Sequence, residues 1–311
     1  MTKIAIIDMG TNTFHLLLAE VGTAGYRILL RDHVAVKIGM AGINEGFITE
    51  SACQRALQAM KKFRKTIDEN LVSTVYAFGT SAMRNAKNGP ALAEEIKSVT
   101  GISIQIISGD QEADLIFAGV KAALDLENDM NLVMDIGAGS VEFIIGDQKQ
   151  VCWKQSFEIG GQRLLEKFQK HDPISAEEIK SLDAFFEKTL APLLAAVEKF
   201  QPDILVGSSG TFDTLSDIFC IRQGIARTFE ESETPLSLEG FYEIYRELIR
   251  KNRNERMQIE GMIALRVDMI VVACCLIRFV LEKHPFDRIR VSTYSLKEGV
   301  LANLAEELRK T

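Results

Sequence analysis

The chain has 311 residues, of which 47% are hydrophobic and 25% are charged, and its formal net charge is −7. This composition is typical of a globular protein with room for two domains, and the negative balance argues against a surface built to hold nucleic acid or an anionic membrane. Five cysteines without C-x-x-C spacing indicate core thiols, and an N-terminus without a signal-peptide pattern leads us to expect a cytoplasmic protein.

The first half of the sequence is predicted to form a meander of three strands followed by alternating strands and helices. Such alternation is typical of parallel strands joined by crossover helices. Apolar and helical patterns predict strands at residues 4–7, 14–21, 26–36, 72–78 and 102–107 and helices starting at Ser51, after Pro90 and at 111–124. The polar segment 126–131 indicates a domain boundary, because a new apolar run starts directly after it.

The second half opens on another strand, at residues 132–135, and is rich in helical patterns. Further patterns predict strands at 204–207 and 288–292 and helices at 162–169, 175–200, 211–221, 236–251, 259–281 and 296–309. We expect one domain in residues 1–126 and a second in 127–296, with the C-terminal helix, 297–311, packing back on the first. The longest apolar run, 269–281, is shorter than the ~20 residues that a membrane span needs, so no membrane is expected.

The sequence repeats its opening motif after 127 residues. Aligning IIDMGTNTFHLLL, residues 6–18, with VMDIGAGSVEFII, residues 133–145, places Asp8 on Asp135 and Thr13 on Ser140. A repeated strand, D-x-G turn and strand is expected where two related domains face each other across a ligand.

Both repeated turns have the composition of an anion-binding nest. Glycine permits positive φ angles and close approach of the backbone, and small hydroxyl residues add hydrogen-bond donors without bulk. The turn residues are Gly10, Thr11, Asn12 and Thr13 in the first copy and Gly137, Ala138, Gly139 and Ser140 in the second. Asp8 and Asp135 lie beside these turns, and a carboxylate beside a phosphate implies a divalent cation between them. The alternative for a single copy is an ordinary polar turn.

A third glycine turn and two charged residues add to this set. Ser209, Gly210 and Thr211 follow a strand and open a helix, so their amides could face a phosphate, although an N-capped helix has the same pattern. Arg84, expected in the first turn of a helix, is unfavourable for the helix dipole there, which favours an anion-binding role over an outward surface position. Glu112 lies in the first turn of a helix, where an acid is commonly structural.

Seven motifs occur in order across nearly the whole chain: DMGTNTFHLL, GTSAMRNA, ISGDQEADLIFAGV, DIGAGSVEF, GSSGTFDTL, LRVDMI and VSTYSLKEGVL. Together they resemble the exopolyphosphatase/guanosine pentaphosphate phosphohydrolase family, in its short two-domain form. That family belongs to the actin-like, Hsp70-like, sugar-kinase-like superfamily. The resemblance implies an α/β, ribonuclease H-like fold duplicated into two domains with a cleft between them, and a homodimer.

The resemblance also implies roles for individual residues. The two D-x-G turns correspond to phosphate-binding loops, Glu112 to the proposed catalytic base and Arg84 to a clamp on the phosphate chain. Asp135 and Glu142 correspond to carboxylates that hold a metal or a water molecule, and we expect Mg²⁺ there with help from Asp8. Arg266 has two alternatives, a contact with the phosphates or a structural ion pair.

Some positions depart from the family pattern. Ala138 and Ser209 stand where glycine is usual, and the other departures are Lys37, Val141, Ser295 and Lys297. The departures leave the expected fold unchanged but bear on substrate preference. Ala138 needs a negative φ or tolerates strain.

The function expected from these observations is the release of orthophosphate from the ends of inorganic polyphosphate. The alternative within the same chemistry is hydrolysis of guanosine pentaphosphate to the tetraphosphate, which the sequence does not separate from the first. A sensor that binds phosphorylated alarmones without turnover and a sugar kinase are further alternatives. The last is disfavoured because no sugar-binding signature is recognisable.

Overall fold

The computed structural model describes residues 2–127, 129–228 and 231–310. The strands are β1 (Thr2–Met9), β2 (Thr13–Gly22), β3 (Gly25–Ala35), β4 (Thr74–Gly79), β5 (Gln105–Ile106), β6 (Asn131–Ile136), β7 (Val141–Gly146), β8 (Val151–Phe157), β9 (Ile204–Ser208), β10 (Glu233–Thr234) and β11 (Arg288–Ser292). The predicted boundary segment, 126–131, contains Asn128, which lies outside the described residues.

Helices cover most of the remaining chain. They are α1 (Glu50–Glu69), α2 (Ser81–Asn85), α3 (Gly89–Thr100), α4 (Gly109–Ala123), α5 (Gly161–Phe168), α6 (Ala176–Thr189), α7 (Ala191–Phe200), α8 (Ser209–Gln223), α9 (Leu238–Leu248), α10 (Arg253–Arg256), α11 (Ile270–Lys283) and α12 (Leu296–Lys310). Along the described parts of the chain, no helix combines the length and the apolar character that crossing a membrane requires.

Contacts group the chain into two compact units. Unit 1 comprises Met1–Ala122, Gly137–Gly139 and Ser295–Thr311, and unit 2 comprises Ala123–Ile136 and Ser140–Tyr294. Unit 1 contains a mixed sheet in the order β3-β2-β1-β4-β5, and unit 2 contains one in the order β10-β11-β9-β6-β7-β8. Each sheet buries its own apolar core against helices. The domain limits predicted from the sequence, 1–126 and 127–296 with 297–311 packing back on the first domain, stay a prediction.

The repeat seen in the sequence is a repeat of strand pairing. In unit 1, β1 pairs with β2 in an antiparallel hairpin and with β4 in parallel, and in unit 2, β6 pairs in the same way with β7 and β9. Asp8 lies opposite His15 in the first hairpin, and Asp135 lies opposite Glu142 in the second. The aligned aspartates therefore occupy equivalent places in two equivalent sheets.

Two predicted helices were too long. The helix predicted at 175–200 is divided after Thr189, because Pro192 sits in the first turn of α7 and cannot continue a preceding helix. The helix predicted at 259–281 begins at Ile270, since Gly261 has a φ of +92° and turns precede it. Strand β8 went unpredicted, because five of its seven residues are half-buried and no alternation marks it.

Candidate active site

The first loop, residues 10–13, runs from the end of β1 to the first residue of β2 and contains two buried hydroxyl groups. Thr11 and Thr13 are 5% and 4% exposed, and within the described residues Oγ1 of each has no hydrogen-bond partner. Leaving a buried hydroxyl unsatisfied costs about 1–3 kcal/mol. Such donors fit a ligand rich in acceptor oxygens, such as a phosphate.

Neighbouring backbone holds this loop in place. The amide of Lys37 donates to the Asn12 carbonyl (2.8 Å), and the amide of Gly39 donates to the Thr11 carbonyl (3.1 Å). The guanidinium of Arg55 in turn donates to the carbonyls of Val36 (2.7 Å) and Lys37 (3.0 Å). The shape of the loop therefore does not depend on the two threonine hydroxyls.

The second loop lies between β6 and β7, and its residues 137–139 group with unit 1. A Cβ on Gly139 would overlap Oγ1 of Thr11 and lie 2.6 Å from Oγ of Ser81. Glycine is thus required by close packing against two hydroxyl residues.

The sequence suggested that the glycines of these loops are needed for positive φ angles, but the structure gives a different reason. Among the described residues with positive φ, none belongs to residues 10–13 or 137–140. In the first loop, a Cβ on Gly10 would lie 2.9 Å from the Thr13 carbonyl oxygen, so there too the reason is close approach. Ala138 fits the second loop without backbone strain.

Glu112 and Arg84, predicted as base and phosphate clamp, form an ion pair. Nη1 of Arg84 donates to Oε2 of Glu112 over 2.8 Å, and the two side chains are 17% and 10% exposed. The same Nη1 donates to the carbonyl of Ile107 (3.1 Å), the residue that follows β5. The ion pair fixes the orientation of the Glu112 carboxylate.

The position of Arg84 corrects one step of the sequence argument. Arg84 is the fourth of the five residues of α2, at its C-terminal end, so the argument from an unfavourable helix dipole does not apply. Glu112 lies in the first turn of α4, as predicted.

Asp135 and Glu142 lie side by side in unit 2. They are cross-strand partners in β6 and β7 and are 4% and 1% exposed. Like charges directly opposite each other on a sheet are unfavourable, and a cation bound between them removes that cost. Each also accepts a serine hydroxyl: Oδ2 of Asp135 from Ser209 (2.7 Å) and Oε1 of Glu142 from Ser156 (2.6 Å).

The residues present fit a magnesium ion. No group of three or more His, Cys, Asp or Glu side chains in residues 2–127, 129–228 and 231–310 is arranged to hold a metal ion. Mg²⁺ commonly binds one or two carboxylates and takes its other ligands from water and substrate phosphates. Asp135 and Glu142 supply such a pair, and a contribution from Asp8 stays a prediction.

The third loop, at the start of α8, has a strained residue and a stacked arginine. Ser209 has a φ of +70°, a conformation that glycine adopts freely and serine rarely does, and its hydroxyl donates to Asp135. A Cβ on Gly210 would overlap the Arg266 guanidinium. Burial lowers the pKa of Arg266, and the charges of Asp213 and Asp135 oppose that effect. Arg266 therefore lies against the loop, close to two acids. Thr211, which follows Gly210 in the loop, is buried.

Sequence reasoning missed Ser156 altogether. The residue lies in β8, opposite Glu142, and the strand itself was not predicted. The internal repeat could have revealed this strand, because the first hairpin is followed by a third strand, β3, and β8 follows the second hairpin in the same way. Ser209 was expected to contact phosphate, and its bond to Asp135 was not foreseen.

Comparison with known proteins gives a match over most of the chain. The model of the Ppx/GppA phosphatase family matches residues 17–308. The chain is similar to exopolyphosphatase 1 of Mycobacterium tuberculosis, at 24% identity over 96% of this chain and 87% of that one. It is also similar to the guanosine-5'-triphosphate,3'-diphosphate pyrophosphatase of Vibrio vulnificus, at 26% identity over 98% of this chain, but it spans only 60% of that relative.

Solved structures show the same fold. A crystal structure of an exopolyphosphatase from Cytophaga hutchinsonii matches with a TM-score of 0.96 and 45% identity over 99% of both chains. The Aquifex aeolicus member of the Ppx/GppA family matches with a TM-score of 0.81 and 26% identity over 98% of both chains. These matches confirm the predicted duplicated actin-like α/β fold, while the cleft expected between its halves stays a prediction. The chain belongs to the Ppx/GppA phosphatase family.

Proposed function

We propose that this protein is an exopolyphosphatase that releases orthophosphate from the ends of inorganic polyphosphate. The observation that carries the choice of substrate is the 45% identity to the Cytophaga hutchinsonii exopolyphosphatase over 99% of both chains.

The chemistry follows from the residues of the site. Phosphoryl transfer to water needs charge neutralisation, alignment and a positioned nucleophile more than covalent help from the protein. The hydroxyls of Thr11 and Thr13 donate to phosphate oxygens, and Arg266 adds positive charge. Glu112, oriented by its bond from Arg84, orients the attacking water and accepts its proton.

Asp135 and Glu142 would hold the divalent cation, which we propose to be Mg²⁺. Bound there, the ion would neutralise phosphate charge and polarise the bond to the terminal phosphorus. The hydroxyls of Ser209 and Ser156 orient the two carboxylates. Both carboxylates are buried, which limits their contact with bulk water.

A second candidate substrate is guanosine pentaphosphate. It is favoured by the relative from Vibrio vulnificus, which matches along 98% of this chain. The chemistry at the cleaved bond would be the same, because that substrate also ends in a phosphoanhydride. We place this substrate second because the identity to that relative is 26%, against 45% to the Cytophaga hutchinsonii exopolyphosphatase.

The test compares orthophosphate release from long-chain polyphosphate and from guanosine pentaphosphate at matched phosphate ends, with Mg²⁺ and with chelator. We expect release from polyphosphate to dominate, to need Mg²⁺ and to fall ~10²–10⁴-fold in Glu112→Gln, with binding of the chain retained. Glu94→Gln, on an exposed position of α3, is the control and should match wild type. Faster release from the nucleotide would favour the second candidate, and binding without release of phosphate from either would indicate a sensor.

A further inference from the structure

Ser209 occupies a position where a serine is costly. It begins α8 with a φ of +70°, in the left-handed region that glycine adopts freely and other residues rarely do. A residue kept in such a conformation needs a compensating contact. One such contact is a hydrogen bond, in which the Ser209 hydroxyl donates to Oδ2 of Asp135 over 2.7 Å.

Asp135, which accepts the bond from Ser209, belongs to a row of polar residues at one level of the unit 2 sheet. Ser156 in β8 pairs with Glu142 in β7, Glu142 pairs with Asp135 in β6, and Asp135 pairs with Ser208 in β9. Residues paired directly in this way share one face of a sheet. Two carboxylates in the middle are thus flanked by hydroxyl residues on both sides.

The two hydroxyl bonds have the same chemical effect. Ser156 donates to Oε1 of Glu142 over 2.6 Å, as Ser209 donates to Asp135. Each bond occupies one oxygen of a carboxylate and fixes the plane of the group, so the second oxygen is held in one direction. Partners that orient metal-binding carboxylates in this manner commonly affect metal affinity by 10- to 100-fold when removed.

We propose that Ser209 and Ser156 are positioning residues that orient Asp135 and Glu142 toward a divalent cation. The inference rests on the proposed function for the role of the cation. Ser209 is the stronger case, because the chain accepts an unfavourable backbone conformation at the place where its hydroxyl reaches the carboxylate.

Two substitutions of Ser209 separate the hydroxyl from the backbone. Ser209→Ala removes the hydroxyl and leaves the strain, whereas Ser209→Gly removes both. A purely structural role predicts that the variants differ, since only glycine relieves the strain. A positioning role predicts that both lose cation affinity alike, while the Gly variant melts at a higher temperature than the Ala variant.

The experiment measures binding of Mn²⁺ alone to the full chain by electron paramagnetic resonance, and orthophosphate release from polyphosphate as a function of Mn²⁺. We expect both Ser209 variants, and Ser156→Ala, to need roughly 10- to 100-fold more Mn²⁺ in both measurements. In an Asp135→Asn background, Ser209→Gly should add no further loss. Ser216→Ala is the control: this serine is buried in α8 and donates to the Pro235 carbonyl, so it should lower the melting temperature only.

The outcomes separate the inference from the proposed function. Unchanged Mn²⁺ binding in folded Ser209→Gly, or a further loss in the Asp135→Asn background, would overturn the positioning role while leaving wild-type phosphate release intact. Absence of phosphate release by wild type would overturn the proposed function, and weaker Mn²⁺ binding in the variants would still support the positioning of the carboxylates.

Discussion

Nη1 of Arg84 lies 2.8 Å from Oε2 of Glu112, which joins the predicted clamp to the predicted base. The pair links the end of α2 to the start of α4, and the Ile107 carbonyl anchors the same guanidinium nitrogen. Under the proposed function, we therefore expect Arg84 to act on the reaction partly through Glu112, in addition to any contact with the phosphate chain.

Removing the guanidinium is expected to reduce turnover more than binding. In Arg84→Gln, Glu112 loses its charged partner and its orientation, so we expect kcat for polyphosphate to fall roughly 10²-fold, by analogy with the loss of a catalytic acid or base. Arg84→Lys should restore part of the rate, because it keeps the charge but not the planar geometry. Steady-state measurements of orthophosphate release give kcat and KM. A rise in KM with unchanged kcat would assign Arg84 to substrate binding alone.

Removing either buried threonine hydroxyl of the first loop is expected to weaken substrate binding without destabilising the fold. Thr11→Val and Thr13→Val replace a hydroxyl that no described residue satisfies by a methyl group of similar size, so the free energy of unfolding should stay the same or rise by about 1 kcal/mol. The KM for polyphosphate should rise several-fold in each variant.

Thr100→Val provides the matched control in the same unit. The Thr100 hydroxyl is buried and donates to the Ile96 carbonyl over 2.7 Å, so its loss should destabilise the fold by about 1 kcal/mol and leave KM unchanged. Chemical denaturation and steady-state kinetics measure the two effects. If Thr11→Val and Thr13→Val destabilise the protein as Thr100→Val does, their hydroxyls serve the fold and not a ligand.

The sequence predicted well what depends on local pattern. The hairpin of β1 and β2 has long apolar strands around a D-x-G turn, and the same pattern recurs 127 residues later. Both hairpins can be recognised without knowing any contact between distant segments. It predicted poorly what depends on neighbours in space. The left-handed Ser209 and the bond of Ser156 to Glu142 arise from contacts between segments far apart in the chain, which periodicity does not encode.

A methyl group at Gly210 is expected to displace Arg266. Alanine favours a helix by roughly 0.5–1 kcal/mol over glycine, but its Cβ at this position would overlap the guanidinium. Gly210→Ala should therefore raise the KM for polyphosphate by about tenfold, or about 1.4 kcal/mol of binding, if Arg266 contacts the phosphates. Gly101→Ala is the control: it has a φ of +71° and open space around it, so it should lose about 1–2 kcal/mol of stability and keep its KM. An unchanged KM in Gly210→Ala would make Arg266 structural.

Glu178 gives a prediction about acid stability that is independent of the site. It closes a capping box at the start of α6 with Ser175, and it also accepts the amides of Lys170 and His171. Burial alone would raise its pKa, but the hydrogen bonds to Ser175, Lys170 and His171 outweigh it and lower the pKa to about 2. Ionised Glu178 thus stabilises the folded chain.

The sign of the pH dependence follows from this lowered value. The contribution of Glu178 is complete above the pKa of the unfolded chain, near 4.5, and is lost as the pH falls toward about 2. At pH 7 we expect Glu178→Gln to reduce the free energy of unfolding by about 1–2 kcal/mol, and the difference from wild type should shrink between pH 4.5 and 2. Urea denaturation across this range measures it, with Glu177→Gln, exposed in the same turn, as the control. A difference that stays constant with pH would mean that the shape of the side chain, and not its charge, closes the capping box.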